Sequence, residues 1–342
     1  MKALYITQPG TTQVRDLDPP KPSVDEILLK PRLIGLCGTD LSTFRGKNPL
    51  VRYPRIPGHE IAATIVATGS EVPAEFRPGV HVTVYPNTSC GTCASCKRGR
   101  TNACKHNQTL GVQRDGAMTG LFTVPWQKVV QASRLSLQQL VLIEPLAVGF
   151  HAAERGRITQ ADTVAVIGCG TVGLGALTSV VSRGATAIAI DLDDNKFALA
   201  KQIGAQHFIN SHSPLLHERL QAITNGLGPD VIIEAVGTPD TYRLAIEAVA
   251  HTGRVVYIGW VKEPVSFETS LFVHKELDIL GSRNYIDEFP SVIDVLSKGR
   301  FPVEAAISVT VALESAGDAL RDWSESPRSF TKILVDMDAS SQ

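Results

Sequence analysis

The chain has 342 residues, an apolar fraction of 43%, a charged fraction of 20% and a formal net charge of -1. That length exceeds one comfortable hydrophobic core, so two domains are expected. The charge balance gives no electrostatic reason for nucleic acid or an anionic membrane as a partner. No stretch approaches the roughly 18 to 20 apolar residues of a membrane span, and "MKALYITQPG" lacks the apolar core of a signal peptide. A cytoplasmic protein is expected, where clustered cysteines read as metal ligands rather than disulfides.

Up to about residue 148 the chain is rich in Pro, Gly and short β-like runs such as "EILLKPRLIGLC", "EIAATIVATG" and "GVHVTVYP". The segment "CGTDLSTFRG", Cys37–Gly46, shows neither strand nor helix periodicity, and its cysteine stands far from the next one, Cys90. Arg45, Lys47, Arg52 and Arg55 follow as a cationic cluster. A solvated loop accounts for them, but Arg45 is also a candidate for a substrate carboxylate, which arginine grips with two parallel hydrogen bonds. "YPRIPGHEIAATIVATG" places His59 and Glu60 after a Pro-Gly turn and before a strand. With Cys37 they offer a sulfur, a nitrogen and an oxygen donor, and a catalytic zinc typically takes three protein ligands and keeps one position open.

"CGTCASCKRGRTNAC" spaces Cys90, Cys93, Cys96 and Cys104 as C-x2-C-x2-C-x7-C. Four thiolates close a tetrahedral zinc with no open position, so a structural zinc lobe is expected over about residues 88–106. An iron–sulfur cluster suits the same ligand type, although nothing else in the chain calls for an electron relay.

From about residue 149 short apolar runs alternate with helical patterns: "TVAVIG", "AIAIDL", "HFIN", "DVIIEAVG", "GRVVYIG" and "LDILGSR". Six such runs separated by helices predict an α/β, doubly wound parallel sheet over 149–286. "TVAVIGCGTVGLGA" carries Gly168, Gly170 and Gly173 in G-x-G-x-x-G spacing after a strand and before a helix, and Asp191 ends the next strand. This is the dinucleotide-binding pattern: tight turn, close backbone approach to the pyrophosphate, helix-on-strand packing, and an acid for the ribose. The charge of Asp191 favours NAD over NADP, with the nearby Lys196 pulling the other way. Asp191 also reads as an N-cap, a role open to Asp193 and Asp194 as well. Cys169, inside the loop, reads as a small filler. The helical stretch "FPSVIDVLSKGR" and the β-like "AAISVTVALES" and "KILVDM" are expected to fold back onto the first domain, giving a discontinuous domain of 1–148 with 287–342.

Taken in order, "GLCGTDL", "GHEIAATIVATG", the four-cysteine lobe, "IEPLAVGFHA" and "VIGCGTVGLGA" resemble the zinc-dependent medium-chain dehydrogenases over nearly the whole chain. The likeness points to the branch of sorbitol, threonine and galactonate 5-dehydrogenases. The resemblance implies a GroES-like catalytic domain, a Rossmann cofactor domain and an active site in the cleft between them. It implies one catalytic zinc on Cys37, His59 and Glu60, with Glu144 of "IEP" as a further ligand or as the holder of the zinc-bound water, and one structural zinc. It implies oxidation of a secondary alcohol with NAD, the proton passing through Thr39; Ser42 stands where relatives often carry a histidine. Thr171, Val172, Lys196, Ile258, Gly259, Trp260, Ser282 and Arg283 are cofactor candidates by the same resemblance, and a homodimer or homotetramer is expected. A sugar acid or polyol is the expected substrate; threonine or a simple alcohol is the alternative, and a non-catalytic dinucleotide-binding regulator is a third reading.

Overall fold

The computed structural model describes residues 1–339. Among these the chain divides into two compact units, Met1–Glu144 with the returning segment from Val303, and Pro145–Pro302. The boundaries therefore fall at 144/145 and 302/303 rather than at 148/149 and 286/287. Residues 287–302 belong with the second unit because the helix Phe289–Ser297 buries Phe289, Val292, Val295 and Leu296 there. It borders a cavity of about 470 Å³ together with Phe150, Ser179 and Arg183. Residues 145–148 join it because Leu146 packs on the helix Thr171–Ser182, where a Cβ on Gly175 would stand 2.8 Å from the Leu146 carbonyl oxygen, so the boundary falls inside the helix Leu137–Arg155.

The first unit is built on a seven-stranded, mostly antiparallel sheet. Its central strand, Glu26–Leu36, pairs antiparallel with Glu60–Thr68, with Phe122–Pro125 and with Lys332–Asp336. Lys332–Asp336 also pairs in parallel with Ile307–Ala312, so two strands from the end of the chain complete a sheet begun near its start. The near-continuous apolar run of Glu26–Leu36 is explained by burial on both faces. Its core unites Leu29, Ile34, Ile61, Ile65, Val82 and Ile333.

The second unit holds a six-stranded parallel sheet in the spatial order His207–Asn210, Thr186–Asp191, Thr163–Ile167, Val231–Glu234, Arg254–Tyr257, Asp278–Gly281. All six runs read as strands in the sequence are present. The chain starts at the third position, winds outward one way, then returns to the other side. The order reverses between Thr163–Ile167 and Val231–Glu234, and in such sheets ligands bind beyond the strand ends at that point.

His151 and Glu288 form a largely buried pair in this unit, with Nδ1 and Oε1 2.6 Å apart, and Glu288 Oε2 accepts from the Ile286 N–H at 2.6 Å. Burial pushes the Glu288 carboxyl up, but His151 and the backbone donor outweigh it and hold it below the ordinary carboxylate value. A depressed folded value means the pair stabilises the fold above the ordinary pKa and loses that contribution as pH falls through the lowered one. Glu288→Gln should therefore cost about 1–2 kcal/mol at neutral pH. The deficit should shrink below about pH 4, a pattern read by urea unfolding at the two pH values; a deficit that does not change with pH would remove the ionic account.

Candidate active site and metal centres

Cys37 leads into a helix, Gly38–Phe44, where the sequence shows no period. Seven residues are too few to display one, and the helix is fixed instead by its start and its buried face. Cys37 and Asp40 form a reciprocal capping box, with the Cys37 N–H donating to Asp40 Oδ2 at 2.9 Å. Leu41 and Phe44 are buried. The helix presents Thr39 and Ser42, three residues apart, on neighbouring positions of one face.

His59 and Glu60 come from the turn before, and the first residue of, the strand Glu60–Thr68. Cys37, His59 and Glu60 bring one ligand atom each within 4.8 Å of one another. His59 is buried, its Nδ1 has no hydrogen-bond partner among the described residues, and Asp40 Oδ1, equally without one among them, lies 3.9 Å away. Burial opposes a charged imidazole, yet Asp40, Cys37 and Glu144 together hold the ring well above its usual pKa. A sulfur, a nitrogen and an oxygen donor converging on a site so rich in negative charge fit a zinc ion, with Asp40 behind the histidine in the manner of outer-shell carboxylates. Glu144 is buried and near enough to act on His59, but it is not one of the three converging groups.

Lys332 is the residue that sequence reasoning missed. It is 3% exposed, and its ammonium donates to Glu60 Oε1 at 2.8 Å, Glu60 Oε2 at 2.5 Å and the Leu36 carbonyl at 3.0 Å. Burial raises the Glu60 carboxyl pKa, while Lys332 and His59 pull against that rise. A carboxylate offers about four lone-pair sites, so this grip leaves Glu60 able to face a metal as well. Gly35 makes the space: a Cβ there would stand 2.0 Å from Glu60 Oε2. Arg45, by contrast, is corrected. Its Nε donates to Ser324 Oγ at 2.9 Å and its Nη2 to the Ser324 carbonyl, so the guanidinium ties this helix to the helix Ala316–Glu325 instead of standing ready for a substrate.

In the second lobe of this unit Cys90, Cys93, Cys96 and Cys104 converge. Their sulfurs are separated by 3.5 Å (Cys93–Cys96), 3.6 Å (Cys90–Cys104) and 3.9 Å (Cys93–Cys104). Disulfides need about 2.05 Å, whereas four sulfurs about 2.3 Å from a tetrahedral zinc stand about 3.8 Å apart. The Ser95 hydroxyl and the N–H groups of Cys96 and Lys105 draw the Cys93 thiol down to about 5. Burial and the neighbouring thiols push Cys96 up to about 11.

In the second unit the loop after Thr163–Ile167 turns through Gly168 at φ +96°. A Cβ on Gly173 would stand 1.7 Å from the Gly168 carbonyl oxygen, so only glycine fits the contact. Gly170 starts the helix Thr171–Ser182 without a side-chain cap, and helix N-termini of this kind attract anions. Asp191 sits across the loop, accepting from the Cys169 N–H at 2.6 Å and the Asp193 N–H at 3.0 Å. The N-cap role falls to Asp193, which accepts from the Asn195 N–H. Lys196 is in the short helical turn that follows. Cys169 is fully buried and burial raises its thiol pKa, as suits a filler.

Ile258, Gly259 and Trp260 follow the strand Arg254–Tyr257, with Trp260 64% exposed. Glu234, a second missed residue, braces this region. Its carboxylate accepts from the N–H groups of Val236 and Gly237 and from the Thr241 hydroxyl, its carbonyl accepts from Ile258 and Gly259, and the Tyr242 hydroxyl donates to the Gly259 carbonyl. The signal was an acid closing the buried run "DVIIEAVG". Ser282 follows the strand Asp278–Gly281 with a buried hydroxyl that lacks a hydrogen-bond partner among the described residues, and Arg283 beside it is exposed.

A GroES-like sheet bearing a Cys–His–Glu cluster and a four-cysteine lobe, joined in one chain to a Rossmann sheet, defines a zinc-dependent dehydrogenase. Residues 23–134 match the alcohol dehydrogenase GroES-like domain family and residues 171–298 the zinc-binding dehydrogenase family. The chain is 32% identical over 342 residues to a sorbitol dehydrogenase of Bacillus subtilis, covering 98% of this chain and 97% of that one. It is 30% identical over 313 residues to an L-galactonate-5-dehydrogenase of Escherichia coli, covering 92% and 90%. It superposes with a TM-score of 0.91 on a structure described as a short chain alcohol dehydrogenase of E. coli CFT073 in complex with NADH, at 32% identity and 98% and 99% coverage. The chain belongs to the zinc-dependent medium-chain dehydrogenase family and is an alcohol dehydrogenase-like enzyme.

Proposed function

We propose that the protein oxidises the secondary hydroxyl of a sugar acid or polyol to a ketone, with NAD as hydride acceptor. The convergence of Cys37, His59 and Glu60, backed by Asp40 and Lys332, is the observation that carries this reading. These three residues would hold the catalytic zinc, with Glu144, buried near His59 but outside the converging set, as a further ligand or as the group that orients a water there, and Cys90, Cys93, Cys96 and Cys104 would hold the structural one. Bound zinc supplies Lewis acidity toward the substrate oxygen. Thr39 Oγ1 accepts a hydrogen bond from the substrate hydroxyl and, as it takes up that proton, passes its own hydroxyl proton on, so that it ends neutral. Ser42 has no group that titrates near neutral pH, so the proton leaves through water rather than through an imidazole. The sorbitol and galactonate dehydrogenases named above support the substrate class. The test is a panel of polyols and hexonates with NAD, followed by NADH absorbance alongside zinc counting. Oxidation of threonine or a simple alcohol alone would move the substrate to the alternative, and no oxidation by zinc-loaded protein would favour a non-catalytic role.

Gly168, Gly170, Thr171, Val172 and Gly173 cradle the pyrophosphate of NAD, and Asp191 takes the ribose hydroxyls while its charge repels a 2′-phosphate. Lys196, Ile258, Gly259, Trp260, Ser282 and Arg283 complete the cofactor contacts. Asp191→Asn keeps an acceptor for the Cys169 N–H but removes the charge. The ratio of kcat/KM with NAD to that with NADP should fall about tenfold or more, since a hydrogen bond to a charged group contributes about 1.5–3 kcal/mol. An unchanged ratio would take the selectivity away from Asp191. No helix among the described residues is long and apolar enough to cross a membrane, in keeping with a cytoplasmic enzyme. The exposed edge strand Asp278–Gly281, with Ile279 outward, suits a homodimer or homotetramer; a monomer by light scattering would remove that assignment.

A further inference from the structure

The four-cysteine lobe carries more positive charge than its metal requires. Residues 76–114 contain no Asp or Glu, although the chain as a whole is nearly neutral. Within the lobe Lys97, Arg98, Arg100 and Lys105 are all exposed. None of the four side chains has an ion pair or a side-chain hydrogen bond among the described residues. Four thiolates around one Zn²⁺ leave a net charge of about -2, so about two of the four cations are surplus to neutralising the cluster.

The surplus is concentrated. A cavity of about 420 Å³ opens beside the cysteines, lined by Arg98, Arg100 and Lys105 with Ser95 and Ala103. Arg98 ends the short helix Ala94–Lys97 and Arg100 begins the turn Thr101–Ala103, so a chain reversal over three residues sets both guanidinium groups at one depression. Two planar forks and an ammonium around one hollow match the oxygens of a phosphate group, which arginine binds with paired, charge-assisted hydrogen bonds. The Ser95 hydroxyl lies 2.9 Å from the Ala103 carbonyl and 3.1 Å from Cys93 Sγ, so it is engaged by the lobe's own groups and leaves the three cations to meet the ligand.

We propose that this cavity binds the phosphate group of a small anionic ligand, at a site separate from the Cys37–His59–Glu60 cluster and from the glycine loop. A concave site of this size favours a small phosphorylated molecule over an extended polyanion, which would need a longer cationic track. A zinc ion on Cys90, Cys93, Cys96 and Cys104 would fix the turn on which Arg98 and Arg100 stand.

The test uses the full-length, zinc-loaded protein saturated with NADH, so that the glycine loop is occupied, titrated calorimetrically with inorganic phosphate at constant ionic strength against a chloride control. Binding with a Kd of about a millimolar or tighter is expected. Arg98→Ser and Arg100→Ser should each weaken it about tenfold, the loss of one charge-assisted contact. Zinc content and NADH affinity should stay as in the parent. Arg98→Lys and Arg100→Lys, which keep charge but lose the fork, should fall between, so that loss through misfolding is distinguishable from loss of recognition. Phosphate binding that survives both serine variants would place the site elsewhere. Absence of binding, or retention of the protein on an extended polyanion matrix without phosphate binding, would overturn the proposal.

Discussion

Cys37→Ala should abolish alcohol oxidation, lowering kcat/KM by about a thousandfold or more, and should reduce the zinc content from two ions per chain to one. Losing a Lewis-acid site costs several kcal/mol of barrier, and each 1.4 kcal/mol is a factor of ten. The fold should survive, because Cys37 contributes little packing and the Asp40 side chain still accepts the N–H at position 37. The circular dichroism spectrum and the NADH affinity should therefore match the parent, since the glycine loop and Asp191 are untouched. Metal analysis and steady-state rates check the prediction together. Retained activity with one zinc would show that chemistry does not run through this cluster, and loss of both ions would show that the two centres are not independent.

Lys332→Met should destabilise the first unit by about 3–5 kcal/mol, the usual cost of leaving one member of a buried ion pair alone. Glu60 is 1% exposed and Lys332 3%, so water cannot take over from the missing ammonium. The Leu36 carbonyl would lose its donor in the same step. The double variant Glu60→Gln/Lys332→Met should recover a good part of the loss, because the unpaired charge has gone. Chemical unfolding of the four corners of this cycle measures the coupling. If Lys332→Met alone is as stable as the parent, Glu60 is held by something other than Lys332. Zinc titration of the same variants adds a second readout: weakened metal binding in Lys332→Met with a preserved fold would show that the ammonium positions Glu60 toward the site.

Local signals in the sequence reached the structure well. The alternation of apolar runs and helical patterns places all six strands of the parallel sheet: the inner strands, such as Thr163–Ile167 and Val231–Glu234, are buried on both faces and announce themselves by composition, and the more exposed edge strands His207–Asn210 and Asp278–Gly281 follow from the same alternation with helices. The glycine spacing is legible because Gly173 has no alternative: a Cβ would collide with the Gly168 carbonyl. The cysteine lobe is legible because its donors lie close along the chain. What the sequence concealed depends on distance or brevity. The helix Gly38–Phe44 spans only about two turns, too few for its period to show. Arg45 looks like a substrate residue until the Ser324 carbonyl is seen beside it, 279 residues away. Lys332 opens an apolar strand and reads as an ordinary strand-end charge, while its partner stands at the far side of the chain. Phe289–Ser297 has a clear amphipathic pattern, but the pattern does not say which unit its apolar face will join.

The reach from Glu60 to Lys332 also sets an order of events during synthesis. The carboxylate emerges 272 residues before its counter-ion, which at about 5–20 residues per second is a wait of roughly 15–55 s on the ribosome. In that interval the whole of Pro145–Pro302 has been made and is free to fold as a unit. The sheet of the first unit still lacks the strands Ile307–Ala312 and Lys332–Asp336. A nascent chain in this state keeps one edge of Glu26–Leu36 unpaired and exposed, the kind of edge that chaperones hold and that aggregation exploits. The metal cluster of this enzyme is thus among the last parts of the molecule to be finished, although its ligands are among the first to be made.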